Sequence, residues 1–268
     1  MLIDFHVHTF PESIAERTLS VLLDNMKHTY NIDQTLSYGG TVPLLLEDMK
    51  KTGVDKSIIM PIATKPQQHT TINNFAEQIR SDKIISFGSL HPYMDNPESE
   101  LKNLKSRGFL GIKLHPDYQG VNADDEKFIH LVKKANELGM YVMIHSGYDT
   151  GIKPPFKGTV PRMWRLLNEV DDSFIILAHM GGFSQWDEVE EYLLNTNAYF
   201  DTSVVSRFIS PEQYKRIIIQ HGADKILFGS DAPWESPKMT LEFLKNAGLS
   251  DDAYEMITHK NAEKILNL

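Results

Sequence analysis

The chain has 268 residues, of which 41% are hydrophobic and 24% charged, a composition typical of a globular protein with a sizeable core. Its 36 acidic and 27 basic residues give a formal net charge of −9, so binding to the phosphate backbone of nucleic acids is not expected. The absence of cysteine excludes disulfides, thiolate nucleophiles, iron–sulfur clusters and cysteine-ligated zinc, so a bound metal would need nitrogen and oxygen ligands.

Eight short apolar runs, each bounded by turn residues, predict eight β-strands. The runs are rich in Ile, Val and Phe and are mostly apolar on both faces, which is typical of parallel strands buried on both sides. In chain order the predicted strands are Leu2–Val7, Lys56–Met60, Ile84–Leu90, Gly111–Leu114, Met140–Ile144, Phe174–Ala178, Ala198–Asp201 and Lys225–Phe228.

Helical patterns separate most of these runs. Many begin with a proline suited to the first helical turn, or with acidic residues, and several end before a glycine. The predicted helices are Pro97–Lys105, Asp124–Leu138, Pro161–Val170, Gln185–Leu194, Pro211–His221 and Pro237–Ala247. Two stretches depart from this rhythm: the long first crossover, Thr9–Asp55, and a long turn after the fifth strand, Gly147–Gly158.

Strands and helices that alternate in this way predict a (β/α)8 TIM barrel, and we find no composition break that would divide residues 1–268 into two domains. No apolar run approaches the roughly 18 residues that a membrane span needs. The first residues do not resemble a secretion signal. The sequence therefore predicts a single-domain cytoplasmic protein.

The histidines are distributed unevenly. Six of the eleven lie at or just beyond the carboxyl ends of predicted strands, namely His6, His8, His91, His115, His145 and His179. In a barrel these ends surround one shared cavity, where active sites lie. His6 and His8 flank one residue of a strand, so both rings point to the same side and can reach one metal ion. Taken alone, such a pair also fits two packed histidines.

Two of these six, His145 and His179, end buried strands, and Asp231 ends the last strand in the same way. Each alone fits a rim residue that is hydrogen-bonded to a neighbouring loop. Together with the histidine pair they form a set that could bind a metal and activate water.

The motifs around these residues resemble those of the amidohydrolase superfamily, in particular the branch that includes aminocarboxymuconate-semialdehyde decarboxylase. The resemblance extends from the first strand to a tail helix at Asn261–Leu266. The motifs are His6-x-His8, Ile144-His145-Ser146-Gly147, Ala178-His179-Met180-Gly181-Gly182 and Gly229-Ser230-Asp231-Ala232-Pro233-Trp234, with Tyr199-Phe200-Asp201-Thr202-Ser203 on the seventh strand.

The resemblance implies a role for each of these residues. His6, His8, His145 and Asp231 would be metal ligands, and Asp231 would also carry protons. His179 would be a catalytic base or would polarise a carbonyl. The expected cofactor is one divalent metal ion, zinc first, with manganese, iron or nickel as alternatives.

The fourth strand departs from the two-metal members of the superfamily. Lys113 and His115 lie on one face of it, and a carboxylated Lys113 would bridge two metals in such an enzyme. Either residue could instead contact the substrate. Arg207 and Trp234, which follow the seventh and eighth strands, are further candidates for substrate binding, although an arginine in such a place is more often a surface ion pair.

We therefore predict a metal-dependent hydrolase that uses a metal-activated water on a small carbonyl substrate, such as an amide, ester or lactone. One alternative is a non-oxidative decarboxylase of a small carboxylic acid that uses the same residues. A second alternative is a catalytically idle barrel that serves as a binding protein. The expected partner is a small molecule, with neither nucleic acid nor membrane, and a homodimer is left open.

Overall fold

Eight parallel strands form the centre of the molecule, as the apolar runs predict. The computed structural model describes residues 1–268. The strands are β1 (Ile3–Val7), β2 (Lys56–Ile59), β3 (Ile84–Ser86), β4 (Gly111–Leu114), β5 (Tyr141–Ile144), β6 (Ile175–Leu177), β7 (Tyr199–Asp201) and β8 (Ile226–Leu227). Seven of the eight are shorter than the predicted runs, by one to four residues.

Twelve α-helices surround the strands. They are α1 (Glu12–Tyr30), α2 (Val42–Thr52), α3 (His69–Gln78), α4 (Pro97–Ser106), α5 (Pro116–Gln119), α6 (Glu126–Glu137), α7 (Val160–Leu167), α8 (Trp186–Tyr192), α9 (Pro211–His221), α10 (Pro237–Asn246), α11 (Asp251–Glu255) and α12 (Asn261–Leu266). Prolines stand in the first turn of α4, α9 and α10, as the sequence predicts. None of these helices is long and apolar enough to cross a membrane.

The strands pair in two parallel groups, β1-β2-β3 and β4-β5-β6-β7-β8. Backbone hydrogen bonds join the two groups at both edges. Between the first group and β4, the Gly88 nitrogen donates to the Gly111 oxygen (2.9 Å) and the Lys113 nitrogen to the Gly88 oxygen (2.8 Å). Between β1 and β8, the Phe5 nitrogen donates to the Phe228 oxygen (2.8 Å). The fold is therefore a (β/α)8 barrel in which β1 and β8 are neighbours.

Two apolar cores stabilise this arrangement. The larger, of 49 buried residues, lies largely between strands and helices. The smaller, of 13 buried residues, includes side chains from β1, β2, β5, β6, β7 and β8 together with three from α12. Because it joins strands from opposite sides of the barrel, the smaller core fills the barrel interior and leaves the site to the rim.

The long first crossover contains two helices that the sequence did not indicate, α1 and α2. Helix α1 begins after Pro11 and ends at Asn31, whose left-handed backbone caps it. Only Ala15 and Leu19 of its 19 residues are buried. The predicted long turn, residues 147–158, contains no helix or strand and approaches α1 through a hydrogen bond from the Tyr30 hydroxyl to the Ile152 oxygen (3.1 Å).

Candidate metal centre and active-site cavity

His6, at the end of β1, has both ring nitrogens fixed by its surroundings. Its Nδ1 lies 2.8 Å from Oδ2 of Asp201 and 3.1 Å from Oγ of Ser203. Burial, reinforced by Lys113, lowers the pKa of His6 to about 4, so the ring is neutral. A neutral ring that donates from Nδ1 to a carboxylate has a free lone pair on Nε2, which is the usual arrangement of a metal-binding histidine.

The free nitrogen of His6 meets two other potential ligands. Its Nε2 lies 3.2 Å from Nε2 of His8 and 3.4 Å from Oδ1 of Asp231, and the His8 nitrogen lies 3.0 Å from the same oxygen. Burial opposes ionisation of Asp231, but His6 and His8 hold the pKa of its carboxyl below the usual range. We call these three residues the first cluster.

The first cluster fits a divalent cation. Oδ1 of Asp231 is buried and receives no hydrogen bond from outside the cluster. The nearby Nε2 of His6 presents a lone pair to this ionised oxygen. Lone pairs that face each other at such distances repel unless a proton or a cation lies between them, and without a metal the Lys113 ammonium, 3.1 Å from Nε2 of His6, supplies positive charge beside them. Two imidazoles and a carboxylate match the ligand preferences of zinc and manganese.

His145 and His179 also contact each other, with 3.1 Å between His145 Nδ1 and His179 Nε2. The other nitrogen of His179 lies 3.0 Å from the backbone oxygen of Ser203. A carbonyl only accepts, so His179 carries its proton on Nδ1 and presents the lone pair of Nε2. This lone pair faces His145, and both rings line the active-site cavity.

The structure groups His145 with His115 and Asp149, whose ligand atoms lie within 4.8 Å of one another. The rings of His115 and His145 stack with centroids 4.0 Å apart, and Nε2 of His115 lies 3.2 Å from Oδ2 of Asp149. We call these three residues the second cluster. Whether His145 joins the first cluster as a fourth metal ligand stays a prediction.

Most polar atoms of the second cluster have protein partners. Nδ1 of His115 accepts from the Tyr118 nitrogen (3.3 Å), which puts the ring proton on Nε2, towards Asp149. Oδ1 of Asp149 accepts from the Gly151 nitrogen (2.6 Å). The second cluster is therefore largely satisfied without a cation.

Two site residues have left-handed backbone conformations. The φ angles of His179 and Asp231 are 62° and 60°. Such values are unfavourable for side-chain-bearing residues, and they persist because neighbouring groups hold the chain. The His179 nitrogen donates to Oδ1 of Asp201 (2.8 Å), and the Asp231 nitrogen donates to the His6 oxygen (2.7 Å).

Asp201 thus orients two histidines in different ways. Its carboxylate holds the ring of His6 and the backbone of His179. From the sequence, Asp201 could be expected either to orient His179 or to bond to a loop. The contact between its side chain and the His6 ring was not anticipated.

The predicted substrate-binding residues fall into two groups. His115 and Trp234 line the active-site cavity. Lys113 is fully buried with its Nζ 3.1 Å from Nε2 of His6, and Arg207 binds the side chain of Gln34 (2.8 Å); neither lines the cavity. Burial lowers the pKa of Lys113 to about 8, so a cation bound beside it would readily displace its proton.

The active-site cavity has a volume of about 660 Å³ and begins at the histidine rings. Three aromatic residues that follow strand ends in the sequence, Tyr118, Tyr148 and Phe183, also line it. Two relevant residues were missed, Asp149 and Ser203. Asp149 lies in a loop, where no pattern marks it, whereas Ser203 could have been found from its place two residues after Asp201.

Comparisons with known proteins agree with this geometry. The sequence model described as amidohydrolase matches residues 3–268. No protein with a curated description matches the chain by sequence.

Solved structures resemble the chain over nearly its whole length. A 5-carboxyvanillate decarboxylase from Novosphingobium aromaticivorans with bound manganese has 16% identity and a TM-score of 0.72, with 100% of this chain and 97% of that chain covered. A 2,6-dihydroxybenzoate decarboxylase from Rhizobium has 17% identity, a TM-score of 0.67 and coverages of 99% and 98%. A probable 2-pyrone-4,6-dicarboxylic acid hydrolase from Acinetobacter baumannii has 16% identity, a TM-score of 0.69 and coverages of 100% and 99%.

Proposed function

The chain belongs to the amidohydrolase family, and from that premise we propose that it is a metal-dependent, non-oxidative decarboxylase of a carboxylic acid. The observation that carries the proposal is the convergence of His6, His8 and a buried carboxylate oxygen of Asp231 on one point. The similar structures favour decarboxylation over the hydrolysis that the sequence suggested first, because several of them are decarboxylases.

The proposed metal site uses His6, His8 and Asp231, with His145 as the fourth ligand and one divalent ion. Zinc was the first choice from ligand chemistry, and manganese gains support from two similar decarboxylases that contain it. When bound, the ion polarises a substrate carboxylate or carbonyl and makes nearby water more acidic.

Asp231 is suited to transfer a proton. Its depressed pKa keeps it ionised at neutral pH, so it accepts a proton from water and returns it to a substrate carbon. In decarboxylation the bond from that carbon to the carboxylate breaks, and its electron pair stays on the carbon. The delivered proton forms the new C–H bond there, the carboxylate leaves as carbon dioxide, and the hydroxide that remains from the water takes up a proton from solvent.

His179 has a separate role in this proposal. The hydrogen bond to the Ser203 oxygen holds its ring, so that Nε2 is available in the cavity to orient the substrate carboxylate or the water. The His179→Ala variant should keep its metal and lose most of its rate. Loss of metal from this variant would instead make His179 a ligand.

Hydrolysis of an amide, ester or lactone is the second candidate. It is favoured by the same ionised carboxylate, which can take the proton of an attacking water, and by the similarity to the probable pyrone hydrolase. An idle barrel is disfavoured by the complete set of candidate ligands. Cytoplasmic location and zinc as the resident metal stay predictions.

The test combines metal analysis with product analysis. Wild type and Asp231→Asn are purified, their metal content is measured by elemental mass spectrometry, and both are assayed against panels of carboxylic acids and of esters, amides and lactones. About one metal per chain with release of carbon dioxide by wild type alone supports the proposal. Release of alcohol or amine supports hydrolysis, and failure to bind metal after reconstitution contradicts both.

A further inference from the structure

We propose that the substrate carries an extended apolar chain, which lies between helices α1 and α3 while its carboxylate faces the histidines. This inference rests on the proposed function and names the class of substrate. It differs from the small carbonyl substrate that the sequence suggested, and it follows from the walls of the cavity beyond the polar end.

Helix α1 presents one stripe of residues to the cavity. Ile14, Thr18, Leu22 and Met26 follow one another at intervals of four and all line it. Positions four apart lie on one face of a helix. The residues of α1 that pack into the protein core, Ala15 and Leu19, are different ones. The helix therefore has an apolar stripe that does not contribute to the buried core and remains available to a ligand.

Helix α3 forms another part of the wall. Thr71, Ile72 and Phe75 line the same cavity from this helix, and Ile62 lines it from the segment after β2. Of the α3 residues, only Asn73 and Ala76 are buried. Both helices thus direct partly exposed apolar side chains towards the cavity, where water would cover them in the absence of a ligand.

The cavity has a chemical gradient along its length. Histidines, Asp149 and Asp231 occupy the end at the strands, and the walls formed by α1 and α3 are mainly apolar. Among the lining residues Lys65 is the only lysine or arginine, and its side chain is exposed. The far part therefore has no buried cation for a second carboxylate of the substrate.

The size of the cavity agrees with this gradient. Its volume of about 660 Å³ lies within the roughly 300–1,000 Å³ of pockets that bury drug-sized ligands. Removal of apolar surface from water is favourable in proportion to the area buried. An apolar extension that covers both stripes would therefore gain affinity from them.

The test measures how affinity depends on chain length. Butanoate, octanoate and dodecanoate are titrated into the metal-loaded protein by calorimetry, at concentrations below micelle formation. We expect affinity to rise about two- to fourfold for each added methylene, since burial of one methylene is worth about that factor.

Paired variants locate the chain. Leu22→Asp and Ile72→Asp place a charge on each apolar wall and should flatten the dependence on chain length. The control variants are Val21→Asp and Thr70→Asp, which change exposed residues of the same two helices that do not line the cavity. These variants should retain the dependence of affinity on chain length. Circular dichroism and melting temperature confirm that each variant is folded.

The outcomes separate this inference from the proposed function. Equal affinities for the three acids would overturn the inference of an apolar extension. A dependence on chain length that persists in both Leu22→Asp and Ile72→Asp would overturn it as well. A flat dependence in a protein that binds metal and releases carbon dioxide overturns the apolar extension alone. A steep dependence without metal or turnover supports the apolar channel and contradicts the decarboxylase.

Discussion

The first and second clusters contain the same residue types, two histidines and one aspartate, yet their environments differ. In the first cluster, Asp201 fixes the proton of His6, and Oδ1 of Asp231 contacts the histidines of the cluster but receives no hydrogen bond from outside it. In the second, the ring proton of His115 is directed at Asp149, whose other oxygen accepts a backbone N–H. Histidines and carboxylates that lie close together are therefore not enough to indicate a metal site. The two clusters differ in whether the carboxylate receives a hydrogen bond from outside the cluster.

His145 connects the two regions. Its Nδ1 faces His179, and its Nε2 lies 3.2 Å from the backbone oxygen of Tyr148 and 3.9 Å from Oδ2 of Asp149. Its pKa lies well below the usual value because of burial and the neighbouring His115, so the ring is neutral and able to bind a metal. The comparison therefore leads to experiments in which one cluster is changed and the other serves as its control.

The largest effect is expected from His8→Ala. Loss of one ligand from the first cluster should remove most of the metal and nearly all activity, a larger loss than the roughly 10- to 100-fold drop that removal of a ligand's hydrogen-bond partner causes. Elemental mass spectrometry and a turnover assay measure both. His115→Ala is the control and should keep its metal; the opposite pattern would place the ion in the second cluster.

Asp201→Asn should have an intermediate effect. The amide cannot hold the His6 ring as a carboxylate does, so metal affinity should fall by about 10- to 100-fold while the fold is retained. Competition with a chelator of known affinity measures the change. Unchanged affinity would show that the proton on His6 is fixed by Ser203 instead.

Asp149→Asn should affect metal binding little. The amide has one acceptor oxygen and keeps the bond from either His115 or Gly151 but not both, so metal content should stay as in wild type while stability should fall by roughly 1–3 kcal/mol. Metal analysis and urea unfolding measure the two quantities. A variant that loses its metal would contradict the distinction between the clusters.

The smallest effect is expected at His221, whose contacts differ from those of both clusters. Its ring stacks on Phe200 with centroids 3.9 Å apart, its Nε2 bonds to the Ala198 oxygen (2.8 Å), and its Nδ1 is buried without a partner. No other ligand type joins it in a metal-binding group. An unsatisfied atom therefore indicates a metal site only where several ligands converge.

Burial lowers the pKa of His221 from 6.5 to about 4. Between these two pH values the unfolded chain binds a proton that the folded protein does not, so the free energy of unfolding decreases as pH falls, by at most about 1.4 kcal/mol per unit. His221→Gln removes this titration, and its stability should drop less than that of wild type between pH 7 and pH 5. Urea unfolding of metal-free protein measures the difference, and identical pH dependences would contradict the assignment.

Much of the barrel could be predicted because strands buried on both faces leave continuous apolar runs. The strand Gly111–Leu114 and the helix Pro211–His221 have the predicted bounds. Helix α1 was missed for a physical reason: Ala15 and Leu19 face the core, whereas Ile14, Leu22 and Met26 face the cavity. Two apolar faces on one helix obscure the periodicity of either.

The residues of the candidate site could be proposed for the same reason that the strands could, since polar residues at the ends of apolar runs are conspicuous; their roles stay predictions. Their orientations were not readable. The left-handed backbones of His179 and Asp231, and the direction in which each nitrogen of His145 points, depend on contacts between loops that are distant in sequence.

The junction of β1 with β8 has a consequence for protein synthesis. Asp4 and Ser230, which are hydrogen-bonded to each other there, are separated by 226 residues along the chain. At about 5–20 residues per second, His6 and His8 leave the ribosome roughly 10 s or more before Asp231 is made. A nascent chain therefore has an incomplete set of the proposed ligands for most of its synthesis, and only a polypeptide that has been translated past Asp231 and closed into a barrel could retain the proposed ion.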